Sequence, residues 1–159
     1  FAEAGADMIS AVTMTYAEEA IGIGRAASAV GLPVVVSFTV ETDGRLPSGQ
    51  TIPDAISQVD EATGSAPVYY MINCAHPTHL PSTDGAPRWT ERVRGIRANA
   101  SAASHAELDA AIELDRGDIA ELAESYCELG SVFDLCVVGG CCGTDHEHVA
   151  AIAAALSRR

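Results

Sequence analysis

Three cysteines stand directly after two apolar stretches of the chain. Cys74 ends the stretch VYYMINC, and Cys141 and Cys142 end the stretch LCVVGGCC. If both stretches are strands of one parallel sheet, their carboxyl ends meet at the same edge and the three thiols can converge. Three thiolates are a strong ligand set for Zn²⁺, and a catalytic zinc keeps a fourth position open. Tight packing and a vicinal disulfide are the alternatives, because adjacent cysteines lack the usual C-x-x-C spacing of zinc sites.

Glycines and a predicted helix start surround the cysteine pair. Gly139, Gly140 and Gly143 would allow the backbone to bend so that both adjacent side chains reach one metal ion. The helix predicted to begin after Thr144 would present its positive end to Cys142, and this favours a thiolate over a thiol. The surroundings therefore favour the metal site.

Polar side chains near the ends of other strands are candidate substrate contacts. Asn73 directly precedes Cys74, and Asn99 ends the apolar stretch GIRAN. We predict that their amides position a ligand or the substrate, with capping of a loop as the alternative role. Ser37 and Thr39, in the segment SFT, have the same two interpretations.

The histidines have weaker claims to the site. His76 and His79 form an H-x-x-H pattern in the loop after Cys74. Either could be a metal ligand or an acid–base group, but loop histidines are mostly solvated. His146 and His148 flank a glutamate at a helix start, where we expect both side chains at the surface.

Five strands alternate with helices along the chain and would position these residues. The predicted strands are near-continuous apolar runs, which is typical of parallel strands buried on both faces: Asp7–Val12, Pro33–Val40, Val68–Cys74, Arg94–Asn99 and Leu135–Gly140. Helix starts are predicted where Ser or Thr stands three residues before an acidic residue: Thr15–Glu18, Thr51–Asp54, Ser104–Glu107 and Thr144–Glu147. The alternation predicts an α/β fold with a parallel sheet.

Composition narrows the class of protein. The chain has 159 residues, a net charge of −13 and five cysteines. It fits a single domain over residues 1–159, and the acidic charge disfavours nucleic acid and membrane partners. No signal peptide or membrane-length apolar run is visible, so we expect a cytoplasmic protein with reduced thiols. Of the remaining cysteines, Cys127 and Cys136 are expected to pack as small buried hydrophobic residues.

Taken together, these segments resemble the homocysteine S-methyltransferase family of zinc-dependent thiol methyltransferases. The resemblance lies in AEAGADMI, SFT, INC, the asparagine of IRANAS, and VVGGCCGTDHEHVAAI. It implies a (β/α)8 TIM-type barrel, of which this chain supplies the C-terminal five β/α units and lacks the N-terminal part. It also implies that Cys74, Cys141 and Cys142 bind zinc, which takes the thiol of homocysteine and lowers its pKa. The thiolate then attacks the methyl group of a sulfonium, ammonium or folate donor, and the product is methionine.

One position departs from the family. Val12 stands where family members usually carry a glutamate that holds the amino group of homocysteine, and a valine cannot accept a hydrogen bond from an ammonium. Thr13 or Glu41 could take that role. Two alternatives therefore stay open: a methyltransferase for another thiol, and a non-catalytic zinc or redox protein. The expected partners are a small thiol and a methyl donor, and exposed sheet edges would favour a homo-oligomer or pairing with a missing N-terminal segment.

Overall fold

The computed structural model describes residues 1–80 and 88–158, which form one parallel sheet with helices between the strands. The loop predicted after Cys74 therefore lies partly outside the described residues. The strands are β1 (Ile9–Met14), β2 (Val34–Phe38), β3 (Pro67–Asn73), β4 (Val93–Ala98) and β5 (Val137–Gly140). The helices are α1 (Ala17–Ala29), α2 (Ile52–Thr63), α3 (His105–Ala110), α4 (Ile119–Leu129) and α5 (His146–Leu156), with short 3-10 turns at Pro77–His79 and Arg88–Arg92.

The strands lie side by side in sequence order, β1-β2-β3-β4-β5, and every neighbouring pair is parallel. Right-handed crossovers between such neighbours place the helices on one face of the sheet. The predicted α/β fold with five parallel strands is confirmed. The arrangement is compatible with consecutive units of a barrel, and within the described residues the sheet is open, with β1 and β5 as its edges.

The core lies between the sheet and the helices. Val34, Val36 and Phe38 of β2 and Tyr70 and Ile72 of β3 are buried in it. The alternate residues of β2 are buried as well, so this strand is covered on both faces, as its unbroken apolar run predicts. The stiff central strands thus hold the carboxyl edge where the cysteines follow.

The helix starts were predicted correctly in part. Ser104 and Glu107 form the expected capping box of α3. The prediction of a capping box at Thr15–Glu18 is wrong. Tyr16 precedes α1 without a side-chain cap, and the Glu18 carboxylate accepts a hydrogen bond from Gln58 instead. Thr51 caps α2 through the backbone N–H of Asp54.

The last helix begins one residue later than predicted. Asp145, not Thr144, is its N-cap, because the Thr144 hydroxyl donates to the carbonyl oxygen of Cys141 at 2.7 Å. Cys136 is exposed rather than buried, since it precedes the edge strand β5 and its thiol donates to the carbonyl oxygen of Arg94. Within the described residues, no helix is both long and apolar enough to span a membrane.

Candidate metal centre

The three predicted thiols meet at the carboxyl edge of the sheet. Cys74 directly follows β3, and Cys141 and Cys142 directly follow β5. Their Sγ atoms all lie within 4.8 Å of one another, and those of Cys74 and Cys142 are 3.5 Å apart. Tetrahedral zinc with Zn–S bonds of about 2.3 Å places two thiolates about 3.8 Å apart. The donor set and its spacing therefore fit a zinc ion.

Glycine is required on both sides of the cysteine pair because the backbone is crowded there. Gly143 has φ +78°, and a Cβ atom at this position would collide with the carbonyl oxygen of Asp115. A Cβ atom at Gly140 would collide with the side chain of Thr144. The sequence GGCCG thus lets the loop after β5 pass close to its neighbours while both thiols stay at the cluster.

The cluster has strongly asymmetric thiol pKa values. A hydrogen bond from Cys74 lowers the pKa of Cys141 to about 5 against the effect of burial, and the backbone N–H of Cys142 and the amide of Asn73 help. Hydrogen bonding to Cys141, burial and Cys142 raise the pKa of Cys74. Without a cation, the cluster therefore favours a thiolate at Cys141 that accepts hydrogen bonds from the neighbouring thiols. Three thiolates this close need a cation between them, which agrees with a divalent metal site.

Asn99 connects the two loops that carry the cysteines. Its Nδ2 donates to the carbonyl oxygen of Cys74 at 3.0 Å, and its Oδ1 accepts from the backbone N–H of Cys142 at 3.1 Å. The residue is 2% exposed. Both ends of the Asn99 amide therefore contact the backbone of the loops that carry the cysteines.

Asn73 connects the first three strands. Its Oδ1 accepts from the Ser37 hydroxyl at 2.6 Å and from the backbone N–H of Thr13 at 2.9 Å, while its Nδ2 donates to Thr13 Oγ1 at 2.8 Å. Thr13 has φ +59°, an uncommon conformation for a residue other than glycine. The amide thus holds a strained residue of the edge strand β1 beside the site. Val12, which precedes it, is 45% exposed.

His105 is a residue of the site that the sequence analysis missed. Its Nε2 lies 2.6 Å from the carbonyl oxygen of Cys74, and its Nδ1 lies 3.1 Å from Oε1 of Glu41. Burial disfavours the imidazolium, but the Cys74 carbonyl and the Glu41 carboxylate outweigh it and raise the pKa of His105. The position after the Ser104 cap, in a loop following a strand, was the available signal. The sequence could not show which residues the ring would contact.

A cavity of about 290 Å³ opens beside the cluster. Its wall combines residues of the metal centre with carboxylates of α3 and of the segment that follows it: Cys74, Asn99, His105, Cys142, Asp109, Glu113 and Asp115. A small thiol entering this cavity would meet two of the three cysteines. The cavity therefore suits a small cationic or zwitterionic thiol better than an anion.

The start of α5 contacts the segment after α3, of which Asp115 lines the cavity. His148 is fully buried, so the prediction that it lies at the surface was wrong. Its Nε2 lies 2.9 Å from the carbonyl oxygen of Arg116, and its Nδ1 lies 2.8 Å from Asp145 Oδ1. The Arg116 guanidinium pairs with Asp145 and with Glu147, the latter at 2.7 Å. His148 is drawn inward because Asp145 begins the helix.

The loop histidines lie outside the thiol cluster. His76 Nδ1 is 2.8 Å from the Thr78 hydroxyl, and His79 Nε2 is 2.9 Å from the carbonyl oxygen of Ala102. Among the described residues, the group able to hold a metal ion consists of the three cysteines. His146 is exposed, as expected.

Comparison with known proteins agrees with the resemblance seen in the sequence. The sequence profile of the homocysteine S-methyltransferase family matches residues 1–156. The chain is also 29% identical over 153 residues to a methionine synthase of Mycobacterium leprae (strain TN). That alignment covers 87% of this chain but 11% of the relative, so the chain spans a small part of that protein. Because the family profile covers nearly every residue, the chain belongs to the homocysteine S-methyltransferase family.

Proposed function

We propose that this chain carries the zinc site of an enzyme that transfers a methyl group to the thiol of homocysteine. The observation that carries the proposal is the convergence of Cys74, Cys141 and Cys142, whose Sγ atoms lie within 4.8 Å of one another at the carboxyl edge of the sheet. Membership of the homocysteine S-methyltransferase family supports the reaction class. We also propose that the five units belong to a (β/α)8 barrel whose other units bind part of the substrates.

The residues of the chain would supply position and environment. Cys74, Cys141 and Cys142 would hold the zinc ion, which makes a bound thiol acidic enough to be a nucleophile at neutral pH. Asn99 keeps the two cysteine loops at a fixed separation through its two hydrogen bonds. The cavity beside Cys74 and Cys142 would orient the thiol and limit access of water. A general base is not needed for this chemistry.

A second candidate function is methyl transfer to a thiol without an amino group. Val12 favours it, because its side chain, which is 45% exposed, has no acceptor for an ammonium. The two residues considered as substitutes are engaged elsewhere: Thr13 bonds to Asn73, and the Glu41 carboxylate pairs with His105. The carboxylates in the cavity wall offer acceptors in another place, which keeps homocysteine as the first candidate.

Zinc content and thiol binding test the proposal without the methyl donor. The purified chain under reducing conditions is expected to bind about one zinc ion, and Cys142→Ser is expected to lose it. X-ray absorption at the zinc edge should then show one additional sulfur ligand when homocysteine is added. A chain that binds no zinc would refute the proposal.

The same measurement separates the alternatives. Addition of a sulfur ligand from 2-mercaptoethanol but not from homocysteine would favour the second function. Zinc binding without entry of either thiol would favour a zinc-storing or redox protein. Cys127→Ser is the matched control, because this half-buried cysteine lies on α4 and outside the donor group.

A further inference from the structure

The carbonyl oxygen of Cys74 accepts hydrogen bonds from three side chains that come from different parts of the chain. Thr39 Oγ1 lies 3.3 Å away, Asn99 Nδ2 lies 3.0 Å away and His105 Nε2 lies 2.6 Å away. A carbonyl oxygen has two lone pairs, so three donors use its full capacity to accept hydrogen bonds. The shortest of the three contacts is the one from His105.

Cys74 needs this restraint because its backbone is strained. Its φ is +59°, in the left-handed region that residues with a Cβ atom rarely adopt. Such a conformation persists when surrounding contacts over-determine it. Rotation of Cys74 to a negative φ would move its carbonyl oxygen and its Sγ together. The contacts on the carbonyl oxygen therefore also fix the thiol 3.5 Å from that of Cys142.

Glu41 orients the His105 ring. A carbonyl oxygen only accepts hydrogen bonds, so Nε2 carries the proton in its contact with Cys74. Nδ1 faces the Glu41 carboxylate at 3.1 Å. The ring thus lies between the Cys74 carbonyl oxygen and the Glu41 carboxylate, and these two contacts fix its orientation.

The role of His105 in its own helix does not explain these contacts. The capping box of α3 is formed by Ser104 and Glu107, and the imidazole ring takes no part in it. His105 also lies outside the group of metal donors. Its two ring nitrogens are used instead for the peptide of a metal-binding cysteine and for a carboxylate 64 residues away in sequence.

We propose that Glu41 and His105 form a positioning pair for the metal centre. The pair holds the Cys74 peptide in its left-handed conformation, keeps Sγ at the cluster, and so raises the affinity for zinc and sets the geometry of the bound metal. Neither residue belongs to the group of metal donors among the described residues. The inference rests on the proposed zinc function and deepens it.

Zinc affinity and cobalt spectroscopy of the full chain test the pair. Dissociation constants are measured under reducing conditions by competition with a chromogenic chelator for the parent, Glu41→Gln, His105→Gln and the double variant. Glu124→Gln, at an exposed position of α4, is the matched control. Cobalt(II) is used as a second probe, because its ligand-field and sulfur charge-transfer bands report the number and geometry of thiolate ligands.

We expect His105→Gln to weaken zinc binding by about 10- to 100-fold, the usual effect of losing a residue that orients a metal ligand. Glu41→Gln should weaken it by about 10-fold, and the double variant should be no worse than His105→Gln, because Glu41 acts through the ring. The cobalt bands should shift in both single variants. The control should stay within about 2-fold of the parent.

Unchanged zinc affinity and cobalt bands in both single variants would overturn the positioning pair, as would effects that multiply in the double variant. If His105→Gln does not fold, Glu41→Gln alone decides, since it keeps a neutral acceptor of the same size. A parent chain that binds no zinc would instead overturn the proposed function itself. The two failures are therefore distinguishable.

Discussion

Asn99→Ala is expected to separate the two loops that carry the metal ligands. Asn99 is 2% exposed and bridges the Cys74 carbonyl oxygen and the Cys142 N–H with bonds of 3.0 and 3.1 Å. Each bond contributes about 1 kcal/mol, and a buried group that loses its partner costs about 1–3 kcal/mol. The carbonyl keeps donors from Thr39 and His105, whereas the Cys142 N–H loses this acceptor. The free energy of unfolding should therefore fall by about 2–4 kcal/mol.

Two measurements on the same variant test this reasoning. Urea unfolding of the metal-free, reduced protein gives the stability change, and chelator competition should show zinc binding weakened by about 10- to 100-fold. Gln58→Ala is the control: it removes an amide bonded to Gln50 and Glu18 on the surface and should cost less than about 1 kcal/mol. A loss of stability with zinc affinity unchanged would show that Asn99 merely caps a loop, and the reasoning about the metal centre would be refuted.

Three further predictions concern the loops around the cluster. Gly143→Ala should lower the free energy of unfolding by about 2–4 kcal/mol in urea, because φ is +78° and the new methyl group meets the Asp115 carbonyl; unchanged stability would contradict the structure. The His148 hydrogen bond lowers the pKa of Asp145 to about 2 against the effect of burial, and the backbone N–H groups of Glu147 and His148 contribute. The stabilisation of the folded state is therefore present above about pH 4 and is lost as the pH falls toward 2. Asp145→Asn should reduce this loss of stability at acid pH, as followed by circular dichroism. The same loss in the variant and the parent would contradict the prediction. In the metal-free protein, iodoacetamide should modify Cys141 with a rate that rises around pH 5 and falls when zinc is added, as followed by mass spectrometry; a midpoint near 8.5 would be inconsistent with the hydrogen-bonded thiolate.

The fold and the thiol cluster could be predicted because both depend on short-range patterns. Each apolar run became a strand whose bounds lie within two residues of the predicted ones, and parallel strands necessarily end at one edge of the sheet. Cys74 and Cys141 directly follow two such strands, so their convergence needed no knowledge of side-chain packing. The strands that lie side by side in the sheet are also consecutive in the sequence.

The remaining features depend on choices that sequence patterns do not resolve. Thr144 and Asp145 are both good helix caps. Because Asp145 is the cap, His148 is the third residue of α5, where its side chain contacts the cap and is buried. The contact of His105 with Glu41 joins two loops whose paths are fixed by tertiary packing. Cys136 lies in an apolar run that predicts burial, yet it precedes an edge strand and is exposed.

The strained residues of the site indicate which side chains remain for the substrate. Thr13 and Cys74 both have φ +59°, and each is held by an asparagine: Asn73 for the first, Asn99 for the second. Departures from local preference of this kind concentrate at functional sites and require compensating contacts. Because both amides are engaged in holding the backbone, we expect substrate recognition to come from the cavity wall, where carboxylates and two of the thiols are exposed to the same space. Glu113→Gln should accordingly weaken homocysteine binding more than it weakens binding of a thiol without an amino group.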